Sequence, residues 1–291
     1  MDSPASFAAL TAGQGRFRRG LDAVLYSSVW LAGAAAAQTA ATFRRWPGAV
    51  PSWGVVALVF AATLLVYNLD AVLPFKHWQP AGASGRKAWQ QRHRWGLALL
   101  AAVAALVAGY LFLTAGWWRY LPKLLPLAAL ALLYSWPLVY WRGQRRALRE
   151  VPLLKGFLIA GVWSAITVGL PALALHRPLA EAAGLLAQRF CLVLALTIVF
   201  DIRDLSRDRA AGTRTIPVVL GLAGARAVAL AFLAGALLMG MGRGVSPLGL
   251  LPTGLAAAAI IGLANERRGD YFFALWADGV LLVPAALAAL N

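Results

Sequence analysis

Long, nearly uncharged apolar runs separated by short basic loops limit what this chain can fold into more than any other feature. Because a backbone in lipid must satisfy its own hydrogen bonds, such runs are expected to form helices. Continuous Leu/Ala stretches such as LALLAAVAALVAGYLFL exclude the alternating pattern of barrel strands. At about 20 residues per span, we predict nine membrane helices at roughly 21–41, 53–74, 95–116, 120–141, 152–175, 183–201, 223–242, 246–264 and 271–290.

The composition agrees with a polytopic membrane protein. Of the 291 residues, 61% are hydrophobic and 13% are charged, whereas soluble domains contain about 25% charged residues. Residues 1–20 are polar and basic, without the apolar core of a signal peptide, so we expect a cytoplasmic amino-terminal segment there. Residues 21–291 are then expected to form a single transmembrane domain. Cys191 is the one cysteine, which excludes an intrachain disulfide.

The distribution of basic residues predicts the orientation of the helices. If the amino terminus is inside, twenty of the 27 Lys and Arg residues fall in inside segments. The positive-inside rule therefore favours a cytoplasmic amino terminus and an outside carboxyl terminus, as in a protein of the bacterial inner membrane. The net charge of +16 comes from these loops. We interpret it as attraction to membrane lipids, and we expect no nucleic-acid partner.

Three acids follow the sixth apolar run, at Asp201, Asp204 and Asp208. In one continuous helix the offsets 0, +3 and +7 place them on one stripe. Their mutual repulsion is costly unless a cation joins them. Since Mg²⁺ prefers a few carboxylates together with waters and phosphate oxygens, the pattern predicts a magnesium and phosphate site. The alternative is a capped helix end on which the acids pair with neighbouring arginines such as Arg203 and Arg207.

The segment that contains these acids resembles the second aspartate-rich motif of the UbiA superfamily of intramembrane prenyltransferases. That motif runs D-x-x-D-x-x-x-D, then Gly, then Thr-Ile/Leu-Pro-Val, then Leu-Gly. The matching residues are Asp201, Asp204, Asp208, Gly212, Thr215, Ile216, Pro217, Val218, Leu220 and Gly221. Further agreement, which extends the resemblance over essentially the whole chain, lies in Tyr134-Ser135, Lys155-Gly156, Trp163 and Asp278-Gly279.

The resemblance implies an all-α bundle of nine transmembrane helices around a central cavity open to the cytoplasmic side. It also implies Mg²⁺-dependent transfer of an isoprenyl group from a polyprenyl diphosphate to an acceptor small molecule, aromatic or lipid-like. Asp201, Asp204 and Asp208 would hold the metal. Tyr134 would line the acceptor side or stabilise a carbocation through its ring face.

Basic residues near the acids are candidate contacts for the diphosphate. Lys155 is favoured, because it opens an apolar helix and matches the lysine of the family. Its alternative role is that of a lysine whose stem lies along apolar surface while its ammonium reaches the interface. Arg94, Arg203 and Arg207 are further candidates, with ordinary inside-loop charges as the alternative.

The first aspartate-rich motif of the family, N-D-x-x-D-x-x-x-D, is degenerate here. Aligned on Asn68, its acid positions hold two apolar residues and Lys76, and Asp70 is out of register. Asn68 is predicted either to bind metal or phosphate, or to form an interhelical hydrogen bond. Asp70 is predicted to be functional, because acids within a span are costly; the alternative is an ion pair with a loop arginine such as Arg94.

Two functions therefore remain open. The intact second motif favours a prenyltransferase with a divergent first motif. The degenerate first motif favours a non-catalytic UbiA-like protein that binds an isoprenoid lipid or a diphosphate.

Lys76 lies where a metal-binding acid stands in the family, so its ammonium could partly replace that cation against a diphosphate. We expect Lys76→Ala to abolish binding of a radiolabelled prenyl diphosphate, measured by its retention on the purified protein. If the Lys76→Ala variant retains the labelled diphosphate as well as the unaltered protein does, Lys76 is not part of the binding site.

Overall fold

The computed structural model describes residues 15, 17–73, 85–134, 136, 139–141, 144–148, 151 and 153–290. Over these residues the chain is almost entirely helical, with one antiparallel hairpin of β1 (Val139–Trp141) and β2 (Gln144–Arg146). The all-α prediction is confirmed apart from this hairpin. Most of the predicted amino-terminal segment 1–20, and Lys76, lie outside the described residues.

The helices follow the apolar runs of the sequence closely. In chain order they are α1 (Phe17–Tyr26), α2 (Val29–Phe43), α3 (Trp53–Val72), α4 (Gly85–Arg92), α5 (Arg94–Thr114), α6 (Leu121–Leu133), α7 (Leu154–Ser164), α8 (Leu170–Ala174), α9 (Leu179–Arg203), α10 (Leu205–Ala210), α11 (Ile216–Met241), α12 (Pro247–Leu263) and α13 (Val283–Leu290). Short 3₁₀ turns cover Trp117–Tyr120 and Val280–Leu282, and π-helical turns cover Ala165–Gly169 and Phe272–Ala277.

Six helices of the described chain are long and apolar enough to cross a membrane, which is the pattern of an integral membrane protein. They are Trp53–Val72, Arg94–Thr114, Leu154–Ala174, Leu179–Arg203, Ile216–Met241 and Phe272–Ala289. The pair α1 and α2, bent by 60°, makes a seventh if it is counted as one span. The nine-span count stays a prediction, because the fourth and eighth predicted spans correspond to the shorter helices α6 and α12.

The predicted span at 120–141 is too long. Helix α6 ends at Leu133, and residues 139–141 form strand β1 instead. Pro137 follows α6 closely in the sequence, and helices usually end before a proline.

Helix α9 lies at the centre of the bundle. Its buried side chains include Leu194, Ile198 and Ile202, and it packs against α7 and α11. Gly156 allows α7 to approach, because a Cβ there would lie 3.1 Å from the Thr197 hydroxyl oxygen and 3.2 Å from a Leu194 methyl carbon. This close approach sets Lys155, the residue before Gly156, beside the end of α9.

The second aspartate-rich motif continues into a backbone that requires glycine. Gly212 has φ +67°, and Gly221 has φ +70° with ψ 179°, which interrupts α11 near its start. The conformation of Gly221 is open almost only to glycine. The glycines of the motif therefore shape the turn and the broken helix that follow the acids.

A side chain at Gly221 should destabilise the fold. We expect Gly221→Ala to lower the free energy of unfolding by about 1–3 kcal/mol, because alanine is strained in that region of φ and ψ. Titration with a denaturing detergent measures the effect. The matched control is Gly161→Ala in α7, where a Cβ meets nothing within 4 Å and the backbone is helical. Equal stability of the two variants would contradict this account of the motif.

Candidate functional site

The three acids of the second motif are all buried at one end of α9. Asp201, Asp204 and Asp208 expose 5%, 7% and 8% of their surface. Helix α9 ends at Arg203, and Asp204 forms the junction with α10 at φ −92° and ψ 6°. The single continuous helix assumed in the sequence analysis is therefore interrupted at Asp204, but the acids still lie together in the protein interior.

Lys155 links α7 to the first two of these acids. Its Nζ lies 2.8 Å from Asp201 Oδ1 and 4.0 Å from Asp204 Oδ2. The lysine side chain is 23% exposed, whereas both carboxylates are almost fully buried. The predicted proximity of Lys155 to the acid motif is thus present in the structure, as an ion pair rather than as a contact to a ligand.

Two arginines of the motif neutralise Asp204. Arg203 donates to both of its carboxylate oxygens at 3.2 Å, and Arg207 Nη2 lies 2.7 Å from Oδ2. Burial raises the pKa of Asp204, but the charges of Arg203 and Arg207 outweigh burial and hold the net pKa below the usual range. The alternative of a helix end stabilised by Asp–Arg pairs is therefore realised at Asp204.

Arg203 also reaches the last membrane helix. Its guanidinium carbon lies 5.1 Å from the ring centroid of Phe200 and 5.5 Å from that of Phe273. Cation–π contacts of this kind hold a guanidinium in place between two helices.

Asp208 differs from the other two acids. Its Oδ2 is buried and has no hydrogen-bond partner, and the same is true of the Thr215 hydroxyl a few residues later in the motif. Burial raises the pKa of Asp208; the charge of Lys155 opposes this shift, and the charges of Asp204 and Asp201 add to it. An unsatisfied buried carboxylate oxygen is costly, so Asp208 Oδ2 is an acceptor atom whose capacity for a hydrogen bond or a cation is unused within the described protein.

A small pocket lies between α7, α9 and the start of α11. Its polar lining comes from Lys155, Asp201, Thr213, Arg214 and Thr215. The apolar lining residues are Val151, Leu153, Phe157, Leu194, Ile198 and Ile216. The pocket therefore places charged groups next to an apolar wall.

The donor chemistry of the site suits Mg²⁺, since carboxylates are the side chains that this ion prefers. Asp208 Oδ2 is the donor atom that lacks a protein partner. In the described part of the chain, however, no group of three or more His, Cys, Asp or Glu side chains is arranged to hold a metal ion. Asp201 and Asp204 are instead occupied by Lys155, Arg203 and Arg207.

The candidates of the first motif lie on α3. Asn68 is buried, and its Nδ2 donates to the carbonyl oxygens of Ser27 and Leu64, both at 2.9 Å. This is the interhelical hydrogen bond of the alternative interpretation, and it fastens α3 to the bend between α1 and α2. Asp70 is half-buried two residues before the end of α3.

The remaining sequence candidates lie at the ends of other helices. Arg94 is exposed at the start of α5, with its guanidinium 5.2 Å from the ring centroid of Trp95. Tyr134 is half-buried and directly follows α6. Their predicted roles at the diphosphate and at the acceptor stay predictions.

Two charged residues that the sequence analysis did not place at the site act on Arg203. Asp278 is buried in the last membrane helix, and its charge acts on Arg203. Arg86 lies on α4, where its backbone amide donates to an Asp270 carboxylate oxygen at 2.9 Å, and its charge interacts with that of Arg203. Burial and the charge of Arg203 lower the pKa of Arg86. The signal for Asp278 was an acid inside an apolar run; no sequence pattern singled out Arg86 among the loop arginines.

Removal of Lys155 should leave Asp201 buried without its cation. We expect Lys155→Met to lower the free energy of unfolding by about 1–3 kcal/mol, since an uncompensated charge in the interior is costly. A detergent unfolding titration measures this loss, and adding Asp201→Leu should restore most of it. Lys123→Met, an exposed lysine on α6, is the matched control; an equal loss there would argue against a specific ion pair.

The fold can be compared with known proteins. No protein-family model matches the sequence, and no curated protein matches it. The solved apo structure of a UbiA homolog from Aeropyrum pernix K1 is similar, with a TM-score of 0.55, 19% sequence identity, and coverage of 90% of this chain and 95% of that chain. The chain therefore has a UbiA-like fold, in agreement with the superfamily that the second aspartate-rich motif predicted.

Proposed function

We propose that this chain is a membrane-embedded prenyltransferase of the UbiA type. It would transfer an isoprenyl group from a polyprenyl diphosphate to an aromatic or lipid-like acceptor, with Mg²⁺ as cofactor. The observation that carries the proposal is the buried cluster of Asp201, Asp204 and Asp208 with Lys155 at the edge of an apolar pocket. Nine spans, an inside amino terminus and a bacterial inner membrane are part of the same proposal.

The charges of the cluster suit an anionic leaving group. Lys155, Arg203 and Arg207 are three cations within reach of two acids, so a diphosphate that enters can exchange places with a carboxylate as their partner. Arginine in particular binds phosphate oxygens through two parallel hydrogen bonds. Mg²⁺, held by the carboxylates of the motif with Asp208 foremost, would supply further neutralisation of the diphosphate.

In the proposed reaction the bond between C1 of the isoprenyl group and the diphosphate oxygen breaks, and its electron pair leaves with the diphosphate. Fixed positive charge that faces the departing oxygens stabilises this step. The apolar wall of Phe157, Leu194 and Ile198 keeps water from the allylic cation. A carbon or oxygen of the acceptor then forms the new bond and releases its proton.

A second candidate is a non-catalytic protein that binds an isoprenoid lipid or diphosphate. Two observations favour it. The first motif lacks acids in register, and the donating amide of Asn68 is engaged by backbone carbonyls. In addition, Asp201 and Asp204 are already neutralised by basic side chains of the protein itself.

Turnover separates these two functions. We expect the full chain, in bilayer nanodiscs with Mg²⁺, to convert labelled prenyl diphosphates to products with a panel of phenolic and lipid-like acceptors. Asp204→Ala should reduce the rate at least about 100-fold, because it removes one of the carboxylates proposed to hold the Mg²⁺ that neutralises the leaving group. Formation of labelled product and of free pyrophosphate is measured.

The matched control is Glu266→Ala, which removes an exposed acid bonded to Ser206 at the same end of the bundle. It should retain full activity. Binding of the labelled diphosphate that depends on Mg²⁺ and on Asp204, without product or pyrophosphate, would assign the second function. If the chain shows neither binding nor turnover, both proposed functions are rejected.

A further inference from the structure

A second charged site lies far from the acid cluster, around Arg189. This arginine is on α9, twelve residues before Asp201, which corresponds to about 18 Å along the helix. It exposes only 8% of its surface. Its Nη1 donates to the Thr167 hydroxyl at 3.1 Å and its Nη2 to the Thr42 hydroxyl at 3.4 Å.

The partners of Arg189 are neutral. Thr42 donates its own proton to the Gln38 carbonyl at 2.9 Å, and Thr167 donates its proton to the Trp163 carbonyl at 2.7 Å. Only their lone pairs therefore face the guanidinium. Within the described residues no carboxylate forms an ion pair with Arg189. Its buried positive charge thus lacks the anion that such charges ordinarily have.

Two more arginines lie at the same end of α9 as Arg189, on other elements of the bundle. Arg45 lies two residues after the end of α2, and its charge acts on Arg189. Arg243 lies two residues after α11, and its Nη1 is 3.0 Å from the position that a Cβ on Gly184 would take. Gly184 is on α9, about a turn and a half before Arg189. Burial and the charge of Arg243 also lower the pKa of Arg45.

Little negative charge is present at this end of α9. Glu181 stands in the first turn of the helix, but it pairs with Arg177 at 3.6 Å. The charge of Arg45 acts on Arg189 and that of Arg243 acts on Arg45, and none of the three forms an ion pair with a carboxylate of the described residues. These like charges repel one another. An anion placed between them would relieve both this repulsion and the burial of Arg189.

The position of the cluster along the membrane normal favours a lipid as the occupant. Trp53 begins α3 after the loop that carries Arg45, and 69% of its surface is exposed. Tryptophans exposed at the start of a membrane helix mark the level of the lipid headgroups. Phospholipid headgroups at that level carry phosphate groups, which arginine binds through two parallel hydrogen bonds.

We propose that Arg189, Arg45 and Arg243 form a binding site for the phosphate of an anionic phospholipid, at the end of the bundle opposite the acid motif. The two exposed arginines hold the phosphate oxygens at the surface, and Arg189 provides the buried charge beneath them. This site is separate from the proposed catalytic cluster and does not depend on its function.

Thermal unfolding of the full chain in an uncharged detergent tests the site. Dihexanoyl phosphatidylglycerol is the probe, and dihexanoyl phosphatidylcholine and inorganic phosphate are the comparison ligands. At saturation we expect phosphatidylglycerol to raise the melting temperature by about 3–5 °C more than phosphatidylcholine. Arg189→Gln should abolish this difference.

Arg119→Gln removes an exposed charge stacked on Trp118 outside the cluster, and it should keep the full shift. If Arg189→Gln does not fold, the double variant Arg45→Gln/Arg243→Gln, which changes exposed residues only, should lose at least half of the shift. An undiminished shift in the double variant, or equal shifts from the two lipids, overturns the proposal. An equal shift from inorganic phosphate keeps the anion site but overturns its assignment to a lipid.

Discussion

The buried ion pair between Lys155 and Asp201 is the interaction on which the arrangement of the site depends. It joins α7 to α9, the central helix of the bundle, at the point where Gly156 lets the two helices touch. Both charges would be costly in this interior without each other. The pair therefore fixes one side of the small pocket between α7 and α9, and it holds the lysine ammonium beside the acids at the end of α9.

Arg203 extends this charge balance across the bundle. It holds Asp204 on one side and lies against Phe273 of the last membrane helix on the other. The acids of the motif are thus balanced by basic side chains of the same protein. In the proposed function, a diphosphate with its metal ion would replace the ionic contacts that these basic side chains now make with the acids.

Much of the fold follows from the sequence, because the length and polarity of the apolar runs determine where helices form in lipid. The proximity of Lys155 to the acid motif was also predicted from the sequence, and it is present in the structure. The break at Asp204, the bend at Ser28 and the π-helical turns were not predicted, because each depends on tertiary packing that overrides the regular helical repeat. Arg189 is one of the seven basic residues that the charge count leaves on the outside, although it is buried on α9. Counting charges does not reveal which side of a helix faces the core.

The π-helical turn at Phe272–Ala277 has a consequence for Asp278. Such a turn accommodates one residue more than an α-helix does, and the indole of Trp30 donates to a carbonyl within it, that of Leu275, at 3.3 Å. If the same residues formed an ordinary α-helix instead, Asp278 would be rotated by about 100° relative to the segment that precedes the turn. The π-helical turn therefore determines which side of the last membrane helix carries this acid.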